Sequence, residues 1–143
     1  MFNKLISVFG RGESGNEVGQ VINVYDAVLA HRAWKSRLAD YLEGRSKEDL
    51  QPAKIGVDNL CVIGKWIHGS GKAQFWDQPD FVNLVEEHAK FHVHAANVVE
   101  AHQKGDDKLA KEILTGAFDE QSRKTVACLA KLHALVEEHE KKS

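Results

Sequence analysis

Four side chains of this sequence are of the right types to hold a metal ion together: His31, Cys61, His88 and His92. His88 and His92 are four residues apart, so on an α-helix they lie about 40° apart around the axis and project side by side. Such a pair offers two imidazole nitrogens to one ion. By itself the spacing is a weak signal, because buried histidines often donate to a carbonyl or pack in a core. His31 adds a third nitrogen and Cys61 a sulfur. Three nitrogens and one thiolate form a donor set that Zn2+ accepts as a tetrahedron, with Zn–N near ~2.0 Å and Zn–S near ~2.3 Å. Burying three imidazoles and a thiol without a partner is costly, and a shared cation removes that cost.

These residues meet only if the elements carrying them bring them to one level. Apolar residues recur at spacings of three and four nearly throughout, and no alternating pattern is long enough to compete. The reading is all-α. A first helix is expected over about 18–43, with Val21, Val24, Val28, His31, Trp34, Leu38 and Tyr41 on one face and Gly44 as its stop. Ser46, Asp49 and Pro52 suggest the start of a second helix running to about residue 68, which puts Cys61 near its middle. Gly69, Ser70 and Gly71 end it, and a loop passes through Phe75 and Trp76. Gln78, Pro79 and Asp80 open a third helix, whose stripe of Phe81, Leu84, Val85, His88, Phe91, His92, Ala95, Val98, Val99 and His102 breaks near Gly105. A short helix to about residue 114 and, beyond Gly116, a longer one with Phe118, Val126, Leu129, Leu132 and Val136 inward complete the chain. Short connections favour antiparallel neighbours, so the expected fold is an antiparallel up-and-down four-helix bundle with a broken last segment. His31, Cys61 and the His88/His92 pair then all lie near mid-helix.

The remaining histidines fail this test of level. His102 is ten residues past His92, about 15 Å along the axis. His68 lies near a helix end, where a cationic or hydrogen-bonding side chain is favourable. His94 points off the stripe, while His133, His139 and Cys128 are read as surface or packing residues. Trp34 and Trp66 are expected to wall the site, with Asp26 and Asp58 as carboxylates available to its ligands.

The 143 residues are 43% hydrophobic with two prolines, enough for one domain over residues 18–143. Residues 1–17 read as a peptide and linker, either a lipid- or partner-binding segment or, preferred, an extra turn packing on the bundle. A net charge of -2 with alternating signs argues against nucleic acid. Without a long apolar run or a signal peptide, the expected location is the reducing cytoplasm, with no membrane span and both cysteines as thiols or ligands.

His31-x-x-Trp34, Cys61-Val62-Ile63-Gly64-Lys65-Trp66-Ile67 and His88-x-x-x-His92, separated by thirty and twenty-seven residues, resemble the signature of the chemoreceptor zinc-binding domain, a bacterial regulatory module. The resemblance covers about residues 21–99, the last helix only loosely and the first eighteen residues not at all. It implies a four-helix bundle, a three-histidine, one-cysteine zinc and commonly a homodimer. In that family, zinc occupancy or oxidation of the cysteine alters the output of a joined chemotaxis receptor or diguanylate cyclase. This sequence carries no such output region, so the output is expected from a partner, or the sequence is a fragment. Four protein donors fill a tetrahedron and leave no place for substrate, so a sensor and not an enzyme is expected. The alternatives are a hemerythrin-like di-iron bundle, which needs inward carboxylates where Glu86 and Glu87 only flank the stripe, and a helical interaction protein whose histidines merely pack.

Overall fold

The computed structural model describes residues 23–142, so the expected peptide and linker over 1–17, and Val18 and Val21 of the first helix, lie outside the described residues. Among the described residues the chain is helical, with no strand. The helices are α1 (Val24–Leu42), α2 (Pro52–Ile55), α3 (Val62–Ile67), α4 (Ser70–Phe75), α5 (Pro79–Gln103), α6 (Asp107–Thr115) and α7 (Ala117–Lys142). α5 is central and packs against α7, α6, α2 and α1, while α7 also packs on α1 and α6.

Local chemistry sets most boundaries. Asn23 is extended and its side chain accepts the Asp26 N–H at 3.0 Å, so α1 starts at Val24. Pro79 occupies the first turn of α5, where its missing N–H costs nothing, and Asp80 adds a favourable negative charge there. α5 ends ahead of Gly105, whose φ of 85° is a left-handed turn that favours glycine. Asp106 then caps α6 by accepting the Leu109 N–H at 3.0 Å.

The expected continuous second helix is the main correction. Residues 52–75 form three short helices, α2, α3 and α4, with a turn over 56–61 between the first two. Cys61 is therefore the N-cap of α3 and not a mid-helix residue; its φ of -83° and ψ of 165° are extended, and its sulfur accepts the Gly64 N–H at 3.3 Å. Asp58 and Asn59 favour such a turn, because their short polar side chains compete with helical backbone bonding. Gly64 makes the turn possible. A Cβ there would lie 1.7 Å from the Asp58 carbonyl oxygen, so the 58–61 backbone closes on α3 only because that atom is missing. Gly64→Ala is expected to destabilise the protein by about 1–3 kcal/mol, as overpacking against backbone does. A thermal melt checks this, and an unchanged midpoint would refute the close approach. The expected loop at Phe75 is likewise the end of α4, with Phe75 buried against Trp66 and Phe81 at ring distances of 5.9 and 6.4 Å.

The apolar core falls into two clusters. Val24, Ala27, Trp66, Phe81, Leu84 and Leu129 belong to one; Leu38, Ile55, Phe91, Val98, Leu114 and Phe118 belong to the other. His31 on α1 and His88 on α5 sit between the residues that their helices give to each cluster. A layer of nitrogen donors thus replaces a layer of hydrocarbon in mid-core. On α7 the residues facing α5 at this level are polar: Thr125 and Gln121 are buried and both donate to the Glu87 carbonyl, at 3.1 Å each, while Val126 is only half-buried. Periodicity alone places Val126 inward, and the buried Thr125 takes that position instead.

Candidate metal centre

α1 contributes His31, the turn ahead of α3 contributes Cys61, and α5 contributes His88 and His92 from adjacent turns. His31, His88 and His92 are all buried, with exposures of 3%, 0% and 4%. Their three nitrogens and the Cys61 sulfur all lie within 4.8 Å of one another, although they come from three separate elements. His88 Nε2 and His92 Nε2 are 3.2 Å apart, and Cys61 Sγ is 3.3 Å from the first and 3.6 Å from the second. A tetrahedron with Zn–N and Zn–S bonds of the usual lengths has edges of about 3.3 Å between nitrogens and about 3.5 Å between nitrogen and sulfur. The three separations among Cys61, His88 and His92 match those edges.

The outer ring nitrogens explain the orientation. His31 Nδ1 lies 2.7 Å from the Ala27 carbonyl oxygen and His92 Nδ1 lies 2.9 Å from that of Ile55. A carbonyl only accepts, so each Nδ1 is the donor and each Nε2 carries the lone pair. His31 Nε2 is buried with no hydrogen-bond partner, an arrangement that costs about 1–3 kcal/mol unless something accepts that lone pair. A cation among the four donors does so.

Burial dominates the electrostatics. Loss of solvation pushes His31 down to about 4, opposed by its bond to Ala27. The same loss, reinforced by the neighbouring imidazoles of His92 and His31, pushes His88 down to about 2. His92 is lowered by burial, and the Cys61 thiol is raised by it. At neutral pH the centre is therefore three neutral imidazoles, ready to donate, and one thiol that gives up its proton only to a cation.

Residues 31–99 match the family model of the chemoreceptor zinc-binding domain. Over that span the chain is similar to the chemoreceptor zinc-binding domain. No curated protein and no solved structure gives a significant match. The matched span opens on His31 and contains all four donors together with α2, α3 and α4.

His102, His133 and His139 stay away from the centre, as their sequence positions imply. His102 pairs with Asp107 at 2.7 Å and stacks on Tyr41, His133 pairs with Glu137 at 3.2 Å, and His139 packs on Phe75. Glu87 accepts from Gln121 at 2.6 Å, so it does not serve as the inward carboxylate of a di-iron site. Trp66 belongs to the first apolar cluster, and Trp34 lies beneath the Arg37 guanidinium at 3.9 Å. The ring packed edge-on and tilted against the imidazoles is Phe91, 5.0 Å from His31 and 5.4 Å from His92. Of the two carboxylates singled out in the sequence, Asp26 sits in the first turn of α1 and Asp58 faces His88. Phe91 falls on the apolar stripe, where nothing distinguishes it from an ordinary core residue.

Proposed function

We propose that His31, Cys61, His88 and His92 bind one Zn2+ and that the domain, taken as residues 18–143, is a cytoplasmic bacterial sensory module responding to zinc availability or to oxidation of the Cys61 thiolate. The observation that carries this reading is the four donor atoms lying within 4.8 Å of one another in a buried layer. All four are protein groups, so a tetrahedral ion has no open position for a substrate or an activated water, which favours regulation over catalysis. Among the described residues no helix is long and apolar enough to cross a membrane.

The response follows from where the donors sit. Cys61 anchors the 56–61 turn to α5, and His92 holds the Ile55 carbonyl at the end of α2. When the thiolate is oxidised or the ion is lost, this segment loses its anchor while α5 and α7 keep their apolar packing. Val57, Leu60 and Val62, all exposed on the same segment, then move with it. A homodimer partner or a chemotaxis or cyclic-di-GMP signalling protein that reads this surface receives the signal.

Elemental analysis of the purified protein, beside Cys61→Ala and His92→Ala, tests the binding. About one zinc per chain is expected in the parent, and its loss or weakening in both variants. Zinc retained unchanged by both variants refutes the assignment. Identical helix packing, oligomeric state and partner binding with and without zinc would leave a purely structural ion.

A further inference from the structure

Each imidazole of the centre directs one ring nitrogen inward and one outward, and the outward nitrogens do not all have the same kind of partner. His31 and His92 have backbone carbonyls, which stay in place as long as the helices do. The outer nitrogen of His88, Nδ1, is fully buried and has no hydrogen-bond partner. The acceptor facing it is the Asp58 carboxylate, whose Oδ2 lies 3.8 Å away. The other oxygen of that carboxylate, Oδ1, is 3.1 Å from Nε2 of the exposed His68. Asp58 is thus placed between a buried imidazole and a surface one, on the turn that Gly64 holds against α3 and that carries Cys61 three residues later.

Resting on the zinc reading above, we propose that Asp58 is the positioning residue for His88: its carboxylate holds the proton on Nδ1 and so leaves Nε2 free for the ion. A neutral imidazole carries one proton, and the group facing one nitrogen decides which of the two holds it. Without Asp58, His88 has no acceptor behind it among the described residues, and the proton distributes over both nitrogens. Placed on Nε2, it blocks the donor. Carboxylates behind metal-bound histidines act in this way, and removing one typically weakens metal binding about 10–100-fold. His68 ties the second oxygen and steadies the carboxylate from the solvent side.

The test uses the full chain, Asp58→Ala, Asp58→Asn and His68→Gln, with zinc affinity measured by competition against a chromophoric chelator. Asp58→Ala is expected to lose about 10–100-fold in affinity. Asp58→Asn keeps the shape and an acceptor oxygen and is expected to recover part of the loss, while His68→Gln stays within a few-fold of the parent. Long-range 1H–15N spectra of the histidine rings in chelator-stripped protein give the readout that a merely structural role does not move. In Asp58→Ala, His88 alone is expected to become a mixture of tautomers, with His31 and His92 held by their carbonyls. Unchanged affinity, or an unchanged His88 tautomer in both Asp58 variants, overturns the proposal. If Asp58→Ala does not fold, Asp58→Asn carries both measurements. A parent that binds no zinc refutes the underlying reading, and the tautomer of His88 still decides the role of Asp58.

Discussion

Stripping zinc from the purified protein with a chelator is expected to lower its melting temperature by about 8–16 °C, and restoring zinc is expected to return it. Ligand linkage at a free zinc concentration about a thousandfold above Kd supplies about 4 kcal/mol, and one kcal/mol moves the midpoint of a domain near this size by about 2–4 °C. The donors belong to three elements, so the ion ties α1, the 56–61 turn and α5 together at one point. Without the ion the layer between the two apolar clusters consists of unshared nitrogen lone pairs and a thiol, with His31 Nε2 unpartnered. Cys61→Ala is expected to melt near the stripped parent and to gain little from added zinc, since three neutral nitrogens remain but the thiolate that balances the ion's charge is gone. Superimposable melts of loaded and stripped parent would contradict this.

Acidifying the stripped protein is expected to unfold it over a range set by the buried histidines. His31 falls from an ordinary value of 6.5 to about 4, and His88 to about 2, in each case chiefly through burial. A histidine whose folded value is depressed binds fewer protons folded than unfolded, so its contribution is fully present above pH 6.5 and is lost as pH falls toward the folded value. Each unit of depression corresponds to about 1.4 kcal/mol, and the two residues together cost several kcal/mol by pH 4. That is a large fraction of the stability of an ordinary domain. Urea midpoints of stripped protein should therefore hold steady from pH 7.5 to about 6.5 and then drop steeply. His31→Phe, which fills the layer with hydrocarbon, should flatten the drop. A midpoint that stays level down to pH 5 would show that the imidazoles are not buried as described.

Helical periodicity reveals the long elements because it is repeated over many residues. α1, α5, α6 and α7 are all legible from recurring apolar positions and from Pro79, Gly105 and Gly116, which act through their own backbone chemistry. The region 52–75 is not legible in that way. Its apolar residues fit a helical face, yet Val57, Leu60 and Val62 are exposed and the chain turns between them. That turn depends on Gly64 meeting the backbone of Asp58, a contact between residues six apart that no periodic pattern expresses.

For the centre itself, residue type and spacing point to His31, Cys61, His88 and His92 among ten histidines and cysteines, and the fold brings those four donor atoms within 4.8 Å of one another. The i, i+4 pair fixes two donors locally, and the chemistry of nitrogen and sulfur names the ion class. Only the tertiary structure decided how the donors are presented. Cys61 arrives from a helix cap and not from mid-helix, Phe91 supplies the aromatic wall, and Ala27, Ile55 and Asp58 stand behind the three imidazoles. The reason is physical: a donor's identity is a property of one residue, whereas the direction of its lone pair is set by whatever packs on its far side, and those partners come from the backbone and from distant turns.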